Sequence, residues 1–147
     1  MTNRAELLDA RAAIADLVHT YALNIRTGRG AACADLFTED AVFETRRADP
    51  EVQTLNRLEG RDAVVAYLTK ASQSDTRVCP MVHNLLIAVD GREASSNCVM
   101  AVVALPGGTE LIGEYVDTYR FEDGWRFASR TYTILHERFG PAAGPRS

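Results

Sequence analysis

The sequence lacks any apolar run approaching the roughly 18 residues that a membrane-spanning helix requires, and residues 1–9 are polar and charged, unlike a signal peptide. It is short of lysine: Lys70 stands alone, and the other basic residues are arginines scattered along the chain. With a formal net charge of −4 and no basic cluster, nothing resembles a phosphate-binding groove, so neither a nucleic-acid nor a membrane partner is expected. Cysteine is scarce too. Cys33, Cys79 and Cys98 are odd in number and none shares a CxxC spacing, which argues against a disulfide framework or a zinc site. Buried, reduced thiols in a cytoplasmic protein are expected instead. There is no glycine-rich phosphate loop, nucleophile elbow or metal-ligand cluster, so no metal and no cofactor are expected. Internal repeats and low-complexity stretches are missing as well.

What is present is ordinary globular composition, 46% hydrophobic and 24% charged over 147 residues, enough for one domain. A single domain over 1–140 with a flexible tail at 141–147 is expected. Ile14, Leu17, Val18, Tyr21 and Ile25 recur at helical spacing and predict a helix over 4–27. Gly28 and Gly30 supply its stop signals. A short helix over 31–37 and a strand starting at Ala41 should follow. Residues 46–60, polar and holding Pro50, read as a loop, and 61–73 as a helix burying Val64, Val65 and Leu68. Four apolar, β-rich runs then cover 81–89, 94–105, 110–121 and 125–138. Asp90-Gly91, Pro106-Gly107-Gly108 and Asp123-Gly124 separate them as turns. Helices first and a four-strand meander after them predict an α+β fold. A long curved antiparallel sheet with helices on one face makes a concavity, lined by alternate strand residues.

The order of Phe37-Thr38-Glu39-Asp40-Ala41-Val42-Phe43, the Asp90-Gly91 hairpin, Tyr115-x-Asp117-x-Tyr119 and Gly124-Trp125-Arg126 resembles the SnoaL-like branch of the nuclear transport factor 2-like superfamily. The resemblance covers about residues 5–139. It implies a cone-shaped, strongly curved antiparallel sheet wrapped by N-terminal helices, an α+β barrel of cystatin-like topology. Within that branch the chain looks most like the scytalone dehydratases and bile acid 7α-dehydratases. The resemblance implies a Tyr, an Asp five residues later and a His on the first long strand. Tyr21 matches the Tyr and His83 the His, but Arg26 stands where the Asp belongs. An arginine there would disfavour the imidazolium that the Asp supports.

These residues suggest chemistry, each with a plainer alternative. His83 can shuttle a proton near neutral pH, or be a satisfied core histidine. Asp117 shares a strand face with Tyr115 and Tyr119. If that face is inward it needs a partner, with His83 and Arg26 as candidates; otherwise it ties a structural hydrogen-bond network. Tyr21 and Tyr115 can donate to an enolate or leaving hydroxyl, or be core aromatics. Arg26 is a pocket cation for a carboxylate or oxyanion, or a helix-end charge. Arg130 matches a family arginine that is often structural, and together with Tyr119 it belongs to the expected substrate-binding set. His136 is expected to be exposed, Glu44 and Arg46 to pair, and Asp40 to cap a turn.

The first functional expectation is a cofactor-independent lyase, isomerase or cyclase acting on a small, partly apolar carbonyl compound. His83, Tyr21 and Asp117 would be catalytic, and Arg26, Tyr115, Tyr119 and Arg130 would bind substrate. The alternatives are a non-catalytic small-molecule-binding module and a small subunit of a ring-hydroxylating oxygenase. A broad outer sheet face makes a homodimer the expected assembly.

Overall fold

The computed structural model describes residues 3–139; the expected tail at 141–147 lies outside them. The first helix, α1, spans Arg4–Arg26. Asn3 starts it with a capping box: its side chain accepts from the Glu6 backbone, and the Glu6 carboxylate accepts from the Asn3 backbone. Two otherwise orphaned N–H groups are thereby satisfied. The apolar stripe buries Ala10, Ile14, Val18 and Tyr21, and Asn24 with them. A 3₁₀ turn follows at Gly30–Leu36.

The strands and second helix then run β1 (Phe37–Arg47), β2 (Gln53–Glu59), α2 (Arg61–Ser72), β3 (Arg77–Asp90), β4 (Glu93–Leu105), β5 (Thr109–Phe121) and β6 (Trp125–Arg138). Three expectations change. Residues 46–60 are not a plain loop. Pro50 falls in the connection between β1 and β2, while β2 is an edge strand whose residues are mostly exposed, so it lacks the apolar alternation that marks a half-buried strand. β1 begins at Phe37, four residues early, because Phe37 already pairs with Phe127. Asp40 lies inside β1 and accepts a hydrogen bond from Arg120 at 3.1 Å instead of capping a turn.

The six strands form a curved, open sheet in the order β2-β1-β6-β5-β4-β3. Strands β3 to β6 are the expected antiparallel meander. β1 joins β6 in parallel, which is possible because the chain between them is far longer than a hairpin. The helices cover one face of the sheet. That face buries Cys98 and Met100 of β4, Tyr115 and Tyr119 of β5 and Phe127 and Ile134 of β6 against α1, Phe37 and α2.

Candidate functional site

Along β5, Tyr115, Asp117 and Tyr119 alternate onto the buried face. The pairing register sets Asp117 beside Ser96 of β4 and Arg130 of β6. Asp117 and Arg130 are both fully buried, with Arg130 Nε 3.0 Å from Asp117 Oδ1. That contact has an ion-pair distance without the alignment of a hydrogen bond; the aligned bond runs from Arg130 Nη2 to Asp117 Oδ2 at 3.4 Å. Tyr119 donates to the same oxygen at 3.4 Å, and its hydroxyl also shares a 2.7 Å hydrogen bond with Ser96.

Aromatic rings close around the guanidinium. Its carbon lies 3.5 Å from the Tyr115 ring centre, 4.3 Å from that of Tyr21 and 4.6 Å from that of Phe127. A desolvated cation over ring faces is attracted by about 2 kcal/mol. The pair is thus held by the surrounding rings as well as by opposite charge. Burial pushes the Asp117 carboxyl up to about 6, although Arg130 pulls it back. Burial also works against the Arg130 charge, yet Asp117 and then Tyr115 hold that guanidinium above its ordinary range. Burial raises the Tyr21 and Tyr115 hydroxyls as well, which keeps both protonated.

This predicts a pH dependence. Unfolded, an Asp titrates near 3.9; folded, Asp117 titrates at about 6. The folded state therefore binds the extra proton between those values. Its contribution to stability is complete below about pH 4 and is lost as pH rises through 6, on the order of 3 kcal/mol. Urea unfolding at pH 4 to 7 should show this slope in the wild type, and Asp117→Asn should remove it.

The other expected site residues lie elsewhere. His83 is exposed and pairs with Val99. Cys98 and Met100, on either side of Val99, are buried, so Val99 and His83 point from the outer face. Val82, not His83, packs against the core. The reason is a bulge. Counting back by twos from buried Ile87 puts His83 inside, but the register shifts between His83 and Leu86, where Asn84 has φ 54°, and the shift reverses the faces. Convergence of His83 with Tyr21 and Asp117 is therefore not formed, and Asp117 is partnered by Arg130 instead of His83 or Arg26. Arg26 is the exposed last residue of α1, where a cation complements the helix dipole. His136 is exposed, as expected. Glu44 and Arg46 do pair, at 2.8 Å, with Thr54 donating to the other Glu44 oxygen at 3.0 Å. Since His83 touches nothing that the core needs, His83→Ala should change unfolding free energy by no more than about 0.5 kcal/mol in a urea titration.

A groove of about 670 Å³ opens between the first half of α1 and the tips of the β3–β4 and β5–β6 hairpins. Ala10, Ala13 and Val89 line it, with the rings of Phe121 and Trp125. These two rings stand edge to face, 5.6 Å apart at 75°. Arg92 lies 4.9 Å from the Phe121 ring centre and donates to the Phe121 carbonyl at 3.3 Å. Phe121 N–H returns a bond to the Arg92 carbonyl at 2.8 Å, so the two hairpin tips are clipped together. Sequence reasoning missed this groove. The available signal was Trp125, the chain's one tryptophan, placed directly after the Asp123-Gly124 turn. Among the described residues, no cluster of His, Cys, Asp and Glu is placed to hold a metal, and no helix is long and apolar enough to cross a membrane.

An α+β domain with a meander curved over its first helix, and a buried tyrosine-rich interior, has the fold of solved proteins described as nuclear transport factor 2-like with a cystatin-like fold. The sequence pattern of the SnoaL-like domain family matches residues 6–131, and the chain belongs to that family. No curated protein matches it in sequence. Among solved structures it is similar to Rv3472 from Mycobacterium tuberculosis, of unknown function, at 30% identity over 84% of this chain and 74% of that one, with a TM-score of 0.69. A proposed scytalone dehydratase from Novosphingobium aromaticivorans is 23% identical over 95% and 97% of the two chains, with a TM-score of 0.71. The β subunit of a proposed aromatic-ring-hydroxylating dioxygenase from the same organism is 18% identical over 90% and 93%, with a TM-score of 0.76.

Proposed function

We propose that this chain is a non-catalytic SnoaL-like domain that holds a small, partly apolar molecule without transforming it. The observation that carries this reading is the division of the expected catalytic set. His83 faces outward, Arg26 replaces the carboxylate, and Asp117 is committed to Arg130 inside closed aromatic walls. A general acid or base must reach the proton it moves, and these three groups share no space. A lyase, isomerase or cyclase working through His83, Tyr21 and Asp117 is therefore the weaker reading. Tyr21, Tyr115, Tyr119 and Arg130 act in our reading as a structural network, not as a substrate surface.

The groove under Trp125 supports the binding role. Its volume falls within the roughly 300–1,000 Å³ of small-molecule sites, and its lining combines apolar side chains with three charged ones, Glu6, Asp9 and Arg92. A thermal-shift screen tests this. A groove ligand at about 100 times its Kd should stabilise the wild type by about 2.7 kcal/mol. Ala13→Trp, which fills the groove, should abolish that gain, while His83→Ala should keep it. Hits that stabilise the Ala13→Trp variant equally would overturn the assignment.

For assembly we infer a homodimer through the outer sheet face. Met81, Ala101 and Ile112 form one row across β3, β4 and β5, with Val99 beside it and Val116 one row further on, and Met81, Ile112 and Val116 are exposed. The same face would suit the large partner of a ring-hydroxylase-type small subunit, as the likeness to such a β subunit suggests. A stable dimer of the isolated chain in light scattering would favour the first over the second. The three cysteines, all unpaired, fit our placement of the protein in the cytoplasm.

A further inference from the structure

We propose that the groove beneath Trp125 selects a small aromatic monocation, an organic ammonium compound, over neutral or anionic ligands; this rests on the reading of the groove as the binding site. Three charged residues line it: Glu6 and Asp9 from α1, and Arg92 from the β3–β4 turn. The two carboxylates are available. Asp9 has no ion pair or hydrogen bond among the described residues, and Glu6 uses one oxygen, at 3.3 Å from the Asn3 backbone nitrogen. The single guanidinium is already engaged, lying on the Phe121 ring and donating to the Phe121 carbonyl. An anionic ligand would have to approach two carboxylates to reach one occupied arginine. A cation meets the opposite balance, and the chain's net charge of −4 reinforces it.

The aromatic walls point the same way. Phe121 and Trp125 pack edge to face on the groove wall, and an aromatic ring face attracts a cation. Arg92 already exploits one of those rings as a cation would. Ala10 and Ala13 supply small side chains beside the rings, which leaves room for an apolar ring carried by the ligand.

Trp125 is the chain's one tryptophan, so its fluorescence reports this groove alone. The full chain would be titrated with benzyltrimethylammonium, benzyl alcohol and phenylacetate. Saturable quenching by the ammonium compound is expected, at a Kd at least about tenfold below those of the other two. Asp9→Asn, a substitution of an exposed side chain, should weaken it about tenfold with no change in melting temperature, and added salt should weaken it further. Tighter or equal binding of the alcohol or the carboxylate, or no effect of Asp9→Asn, would overturn the cation preference and leave the groove reading standing. No response to any probe up to about 10 mM would overturn both.

Discussion

Arg130→Met should cost about 3–5 kcal/mol of unfolding free energy, because it leaves Asp117 buried without a counter-charge. At this chain length each kcal/mol moves the melting temperature by about 2–4 °C, so a fall of roughly 10 °C is expected in a thermal scan. The loss has two sources. Asp117 loses the ion pair at 3.0 Å and the hydrogen bond from Nη2, and Tyr115 and Tyr21 lose the cation between them. Asp117→Leu alone should be comparably damaging, since it strands the guanidinium. The double variant should cost much less than the sum, because an apolar pair of similar volume requires no desolvation of charge. A cost below about 1 kcal/mol for Arg130→Met would show that this network is not what holds β5 to β6 and α1.

Gly30→Ala should be the next most damaging change. A Cβ on Gly30 would lie 2.2 Å from the Leu68 carbonyl oxygen and 2.5 Å from its carbon. Both are backbone atoms of α2, so no side chain can swing aside. The 3₁₀ turn and α2 would have to separate, opening the core around Cys33 and Leu68, which are both buried. Gly30 N–H also donates to Ser72 at 3.1 Å, a bond that the separation would break. A cost of about 3 kcal/mol or more is expected from such overpacking, read as a drop in the urea midpoint with little change in slope.

Much of the fold could be read from the sequence because its signals are local. The stripe through Ile14, Val18 and Tyr21 sits at helical spacing, and it is the stripe that α1 buries. The three glycine-bearing turns separate β3 to β6 where the structure has its hairpins. β2 was illegible for a physical reason: an edge strand with both faces largely exposed carries no burial pattern to detect. The site divides the same way. The alternation of Tyr115, Asp117 and Tyr119 is a period-two signal, and it correctly demands a partner for a buried carboxylate. That partner was not within reach of counting, because the β5–β6 register shifts between Thr118 and Tyr119. Counting from the tip pair Phe121–Trp125 would set Asp117 opposite Ser129, and the shift moves Arg130 there instead. His83 was not legible, because it sits in an otherwise apolar run and the bulge at Asn84 reverses the parity that would place it inside. The groove escaped because its walls come from α1 and two separate hairpin tips, which only the tertiary fold brings together.

The central claim is that this SnoaL-like domain binds without catalysis. The most direct test incubates each ligand found by thermal shift with the wild-type chain and with His83→Ala, and follows the compounds by mass spectrometry. Every ligand recovered unchanged from both proteins, with equal stabilisation of each, is the predicted result. Conversion by the wild type that disappears in His83→Ala would contradict the account and return the chain to proton-transfer chemistry.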